Sequence, residues 1–289
     1  MLEFVRDAIS LSGLTGTRLK SEVIGQYYPF WWGITSGGKS KNYGYSTAII
    51  ELNAATGEVH IKDSEETILG SAGHALELKV KKSSDTENLK IVLIEENLEC
   101  YARLKNVIKS RWPNVSLSES EGSPELNKSN VYLLNTDLDT ALETTEKISF
   151  GNAIYFFDPL RTVEWKTIDK VANNRVRSFY QKGTEFLIFL FTSDWFLGRE
   201  EFPPLPKDFK ESTWKQETKN VVLEADALFG NKKWRKYVLN SKSIKIRETT
   251  FIELYKKRLC EWFRYVLPLP FKPKTDQLFH LILCSNYET

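Results

Sequence analysis

Cysteine is scarce in this 289-residue chain, and the little there is excludes two classes of protein. Cys100, Cys260 and Cys284 are odd in number, far apart and without a Cys-x-x-Cys pair, so neither a disulfide framework nor a zinc site is indicated. A dominant charge is lacking too. Lys+Arg number 40 and Asp+Glu 38, a net +2, so only local clusters can speak about nucleic acid. No apolar run approaches the roughly 18 residues of a membrane span. The start, MLEFVRDAIS, has acids and no long apolar stretch, unlike a signal peptide. The expectation is a soluble, cytoplasmic protein without membrane association. Gly-x-Gly-x-x-Gly is missing, which disfavours a nicotinamide enzyme, and so is the phosphate loop ending in Gly-Lys-Ser/Thr. No Ser/His/Asp order or metal-ligand cluster stands out.

What is present is a series of short, strongly apolar runs. Ser46–Leu52, Lys90–Ile94, Ala153–Phe157 and Glu185–Phe191 read as strands buried on both faces, and Val131–Leu134 and Leu278–Cys284 as weaker ones. Helical patterns fill the gaps, over 97–111, 140–148, 163–174 and 250–265. Strand and helix in alternation predict an α/β fold with a doubly wound, mainly parallel sheet. Arg264–Phe271 and Leu278–Cys284 predict a β-hairpin that closes it. The expected organisation is an N-terminal helical segment over 1–44, a core over 45–197, a basic insertion or subdomain over 198–247, and a C-terminal helix and hairpin over 248–289. The aromatic run Y27-Y-P-F-W-W32 reads as packing of the first segment on the sheet, with a lid over a pocket as the sharper alternative.

The strand ends carry acids. Asp158 follows the run AIYFF directly, with Pro159 stopping the ladder behind it. Open α/β sheets bind ligands at the carboxyl ends of their strands, so Asp158 is a candidate site residue; capping the next helix is the alternative. The first strand runs into E51-L-N-A-A-T-G57, a turn of small residues that lets backbone approach a ligand closely. Ala55 in this turn carries a Cβ, which disfavours a positive φ. The second strand ends at Glu95, placed to accept from both hydroxyls of a ribose, or simply to favour the dipole of the helix that follows. The third ends at N135-T-D137-L-D139, where Asp137 can hold an adenine amino group and Leu138 can offer its N–H, or Asp137 can cap a helix. Ser71 reads as an N-cap beside free N–H groups, and His74, close by, as a possible base or a structural ring. Four acid-terminated strands together point to one crevice.

These residues resemble known patterns. The spacing Glu51, Ala55, Gly57 is similar to the first motif, Asp-x-x-x-Gly-x-Gly, of class I S-adenosylmethionine-dependent methyltransferases. Taken with G70-S-A-G-H-A-L76, I91-V-L-I-E95, Y155-F-F-D-P-L160 and L278-F-H-L-I-L-C-S285, the chain resembles the three-Cys-motif partner (TcmP) proteins over roughly residues 20–285. The resemblance implies a Rossmann-like, class I methyltransferase-type fold of bacterial or phage-associated kind. It implies S-adenosylmethionine as cofactor and a three-Cys-motif protein as partner. Cofactor contacts fall on Glu51, Ala55, Gly57, Ser71, Glu95, Asp137 and Leu138. The Asp-Pro element places Asp158, Pro159 and Arg161 at the reacting end. The amino-group methyltransferases of adenine carry Asp-Pro-Pro-aromatic there, against Asp158-Pro159-Leu160-Arg161 here. Stacking by an aromatic is thereby lost, and Arg161 is free to grip a phosphate or carboxylate, or to sit in solvent.

Residues 232–247, KKWRKYVLNSKSIKIR, hold seven basic residues and no acid, with Trp234 and Tyr237 interleaved. Cations for phosphates and rings for bases make this the candidate nucleic-acid surface, with a solvated face as the alternative. The methyl acceptor is therefore open, nucleic acid being one candidate. A second reading of the whole chain is a non-catalytic interaction protein that retains the fold.

Overall fold

The structure is a computed structural model, and it describes residues 16–37, 46–61, 64–81, 86–120, 130–158, 163–176, 183–191, 216–238, 243–271 and 279–286. Pro159, Leu160 and Arg161 lie outside the described residues. So does 198–215 of the expected insertion.

Ten strands and eight helices are described. Strands are β1 (Thr47–Glu51), β2 (Glu58–Ile61), β3 (Glu66–Leu69), β4 (Leu89–Ile94), β5 (Leu117–Ser120), β6 (Val131–Leu134), β7 (Ala153–Phe157), β8 (Thr184–Phe191), β9 (Tyr265–Phe271) and β10 (Phe279–Ser285). Helices are α1 (Gly16–Gly37), α2 (Ser71–Lys81), α3 (Leu98–Arg111), α4 (Leu138–Glu146), α5 (Trp165–Arg175), α6 (Gln216–Phe229), α7 (Lys233–Val238) and α8 (Ile244–Leu259).

Eight strands form one sheet in the order β5-β6-β4-β1-β7-β8-β10-β9. All pairs from β5 to β8 are parallel, while β10 runs antiparallel to both β8 and β9. The expected doubly wound sheet with a C-terminal antiparallel strand pair is what forms. Pro268 and Pro270 are tolerated in β9 because it is an edge strand, whose outer side needs no N–H donors. Edge strand β5, with Ser118 and Glu119 in place of a continuous apolar run, escaped the sequence reading. So did the β2–β3 hairpin over Glu58–Leu69.

Side chains alternate between the two faces of each strand. Ala48 and Ile50 of β1, Val92 and Ile94 of β4, and Tyr155 and Phe157 of β7 face one core layer. Ile49, Leu93 and Phe156 face the other, together with Tyr28 of α1, Leu76 of α2 and Leu104 of α3. By the same alternation Glu51, Glu95, Asp158 and Phe189 continue the second face, beneath α1. β1 also lies between β4 on one side and β7 on the other. Chain direction across the sheet therefore switches beside β1, where a crevice opens at the strands' carboxyl ends.

The basic stretch is not set apart from the core. Val222, Ala225 and Phe229 of α6, and Trp234 and Val238 of α7, belong to the first core layer. Trp234 is 2% exposed, its ring stacked 5.8 Å from Phe229 and its indole N–H given to Asp226 at 2.9 Å. Arg235 is buried too, in ion-pair contact with Asp226. The expectation that Trp234 waits for a base is thus corrected: a hydrophobic ring at this helical spacing finds a core first.

Candidate functional site

A cavity of about 390 Å³ opens at the carboxyl edge of the sheet. Ala55 and Gly57 from the turn after β1, Gly70 and Ser71 where α2 starts, Glu95 after β4 and Asp158 after β7 all line it. Four residues of α1 close it from above: Thr17, Lys20, Ser21 and Ile24. Their spacing of three and four residues puts them on one helical face.

The turn after β1 is built by backbone conformation. Gly57 has φ +73°, and a Cβ there would meet Leu104 Cδ1 at 2.6 Å. Ala55 has φ +51°, so a positive φ is adopted at that position despite its cost for an alanine. The Ala55 N–H donates to Glu95 Oε2 at 2.8 Å, and the Asn97 N–H to Glu95 Oε1 at 2.8 Å. Asn97 in turn caps α3, accepting from the N–H groups of Glu99 and Cys100 at 3.0 Å each. Glu95 thereby ties the end of β1 to the start of α3. A carboxylate offers about four lone-pair sites, so two remain for a ligand.

Across the cavity, Gly70 donates its N–H to the Gly57 carbonyl at 2.8 Å. A Cβ on Gly73 would come within 2.4 Å of the same oxygen, so α2 can approach the turn only with glycine there. Ser71 is the first residue of α2 rather than its N-cap, a place taken by Gly70, whose carbonyl accepts from the His74 N–H at 3.0 Å. The Ser71 hydroxyl is turned toward Glu51 instead.

Glu51 is fully buried just behind the lining. Tyr28 donates its hydroxyl to Oε1, while Oε2 makes no hydrogen bond among the described residues. Burial pushes its carboxyl up to about 8; the hydroxyls of Tyr28 and Ser71 and the charge of Lys20 pull the other way, and Asp158 adds to the rise. At pH 7 Glu51 is thus a neutral acid. Asp158 is also raised by burial, but Lys20 holds it down through an ion pair to Oδ2. The same ammonium stands 5.0 Å from the centre of the Phe189 ring.

His74 is not among the lining residues. The Ser21 hydroxyl gives its one proton to the Leu69 carbonyl at 2.8 Å and lies 2.9 Å from His74 Nε2. Nε2 of the neutral ring must therefore be the donor. Burial lowers this imidazole to about 4. It serves to anchor α1 on α2, in the space left by Gly25, where a Cβ would be 2.6 Å from the ring.

Of the residues singled out in the sequence, Ala55, Gly57, Ser71, Glu95 and Asp158 surround one cavity, with Glu51 beneath it. Asp137 and Leu138 do not line it. Asp137 is the N-cap of α4, accepting from the Thr140 N–H at 3.0 Å and the Thr140 hydroxyl at 2.7 Å, which holds its carboxyl below the usual range. Lys20, Ser21, Asn53, Asn97 and Phe189 were missed. One signal was available for the first: Lys20, Ile24 and Tyr28 recur every four residues, so an ammonium ends an otherwise apolar helical face.

The strand order, the switch beside β1 and the reversed β10 define a Rossmann-like fold of the class I methyltransferase type. No family model and no curated protein sequence matches the chain. Among solved structures, the DszA carbon methyltransferase aligns with a TM-score of 0.45 and 15% identity, over 93% of this chain and 54% of that one. The N-terminal domain of human METTL16 aligns with a TM-score of 0.41 and 8% identity, over 92% and 71%. Trm1 from Pyrococcus horikoshii, solved with S-adenosyl-L-methionine, aligns with a TM-score of 0.39 and 10% identity, over 85% and 51%. The chain spans about half the length of the DszA and Trm1 structures. Among the described residues no helix is long and apolar enough to cross a membrane, and no group of acids, histidines and cysteines is arranged to hold a metal.

Proposed function

We propose that the chain is an S-adenosylmethionine-dependent methyltransferase of the three-Cys-motif partner type. One observation carries the reading: five residues from four separate segments, chosen from sequence as cofactor or reaction residues, line a single cavity at the switch point. Its volume, about 390 Å³, falls in the range of small-ligand sites. The residues fit the nucleoside half of the cofactor. Glu95 keeps free lone pairs for ribose hydroxyls, and Gly57 and Gly70 offer backbone without side chains. When bound, the cofactor supplies an electrophilic methyl group. What the chain adds is alignment, with Asp158 and Lys20 holding the acceptor side of the cavity and α1 excluding water above it.

Partners are part of the proposal. A three-Cys-motif protein rests on the resemblance alone. Nucleic acid rests on the outer face of α7 and the residue before it, where Lys232, Lys233, Lys236 and Tyr237 are exposed. A cytoplasmic setting follows from the same reading. The second reading, an interaction protein that keeps the fold without cofactor, draws support from Ala55 and from the two N–H groups of the chain that already engage Glu95. Calorimetry with S-adenosylhomocysteine separates the two. Saturable heat supports the methyltransferase, and no heat at millimolar ligand overturns it.

A further inference from the structure

We propose that Asp158 and the ring of Phe189 form a subsite for an alkylammonium group, which Lys20 fills in the free protein as an internal stand-in for a cationic ligand. A carboxylate beside an aromatic face is the arrangement that recognises such a cation, by charge and by the ring quadrupole. Lys20 shows the fit, with its ammonium paired to Asp158 and 5.0 Å from the ring centre.

Charge in the cavity points the same way. Among the described lining residues Glu58, Glu95 and Asp158 are acids and Lys20 is the one cation; Glu58 is already paired with Arg111, so Glu95 and Asp158 are the two carboxylates that face the single ammonium.

Lys20 can also leave without unfolding its helix. α1 is anchored independently, by Tyr28 on Glu51, by Ser21 on the Leu69 carbonyl and by Ser21 against His74. The Lys20 side chain keeps 29% of its surface exposed and rides on a flexible four-carbon stem. A change of rotamer moves the charge into solvent and vacates the subsite. The cost is one part-buried ion pair, which an arriving ammonium restores. The subsite itself does not depend on the methyltransferase reading; only the role of the bound group as methyl acceptor rests on it.

The test uses the full chain and n-butylammonium as probe, with 1-butanol as the neutral isostere, followed by calorimetry and by the thermal midpoint. Lys20→Met removes the resident charge and keeps the length of the side chain. Butylammonium is expected to bind this variant about tenfold more tightly than wild type, one charge-assisted contact's worth, while butanol shows no such gain. Adding Asp158→Asn should abolish the gain. Lys20→Arg, which keeps a cation in place, should hold butylammonium at or below wild-type affinity and serves if Lys20→Met does not fold. Equal binding of butylammonium to wild type and Lys20→Met, or equal gains for the alcohol, overturns the subsite. Lack of S-adenosylhomocysteine binding with the butylammonium pattern intact would remove the methyltransferase reading alone.

Discussion

Tyr28, in the middle of α1, donates its hydroxyl to Oε1 of Glu51 at the last position of β1. Both groups are fully buried, so the contact fixes the N-terminal helix on the sheet through a carboxylic acid rather than a carboxylate. Folding then holds a proton that the unfolded chain gives up. With the folded value raised to about 8 from an ordinary 4.5, this contribution is complete below pH 4.5, declines as pH rises and is gone above about 8.

A pH-dependent stability difference follows. Glu51→Gln keeps an acceptor for Tyr28 and cannot ionise, so it should gain on wild type steadily between pH 5 and 8, by on the order of a few kcal/mol in all. The comparison must be made as a difference. His74 and His280, both lowered to about 4 by burial, act oppositely in each protein, their contribution being lost as pH falls from 6.5 through 4. Urea midpoints at several pH values measure it, and parallel curves for the two proteins would refute a neutral Glu51.

Glycines give a contrast within one fold. Gly73→Ala drives a Cβ to 2.4 Å from the Gly57 carbonyl oxygen, a backbone atom that no side-chain rotation can move aside. A loss of about 1–3 kcal/mol is expected, since α2 or the turn must shift. Gly33, exposed in α1 with nothing within 4 Å of its Cβ position, should instead yield about 0.5–1 kcal/mol of stabilisation on substitution by alanine. Thermal or urea unfolding of the two variants reads both signs.

The basic stretch separates core from surface. Trp234→Ala should cost about 3–5 kcal/mol, because the indole is packed against Phe229 and Phe251 and its N–H would leave Asp226 short of a donor. Tyr237→Ala, at a ring 55% exposed, should leave stability within about 0.5 kcal/mol. If α7 meets nucleic acid, glutamate at Lys232, Lys233 and Lys236 should weaken binding and flatten its dependence on salt in a filter or anisotropy assay.

Apolar runs made most of the sheet legible. Ala153–Phe157 and Val131–Leu134 have the bounds the sequence predicted, because a strand buried on both faces cannot hide among polar residues. Leu117–Ser120 and the Glu58–Leu69 hairpin were missed for the converse reason: β5 lies at an edge and β2 and β3 stand outside the main sheet, so neither needs a continuous apolar run. At the site, Glu95 and Asp158 were readable as strand ends. Lys20 was not read, because its partners lie 138 and 169 positions further along the chain and only the packing of α1 brings them together. Asp137 showed the reverse difficulty. A strand-end acid and a helix cap look alike until the Thr140 N–H is seen to take its oxygen.

Ala55 and Glu95 offer the sharpest discrimination between a working cofactor site and a retained fold. Ala55 pays for φ +51° with its Cβ, whereas glycine adopts that conformation freely. Ala55→Gly keeps the N–H that Glu95 accepts and should stabilise the chain by about 1 kcal/mol. In a methyltransferase it should also hold or raise affinity for S-adenosylhomocysteine, since backbone is bared toward the cavity. Glu95→Ala removes the acceptor shared by the Ala55 and Asn97 N–H groups and the lone pairs left for a ribose. Affinity should then fall about tenfold or more, the scale of one hydrogen bond to a charged group. Glu95→Gln, with one carbonyl acceptor remaining, should fall between wild type and Glu95→Ala. Paired calorimetry and unfolding of the three variants decides the matter. If stability moves as described while no variant, nor wild type, takes up the ligand, Glu95 is a structural tie between β1 and α3, and the interaction-protein reading holds.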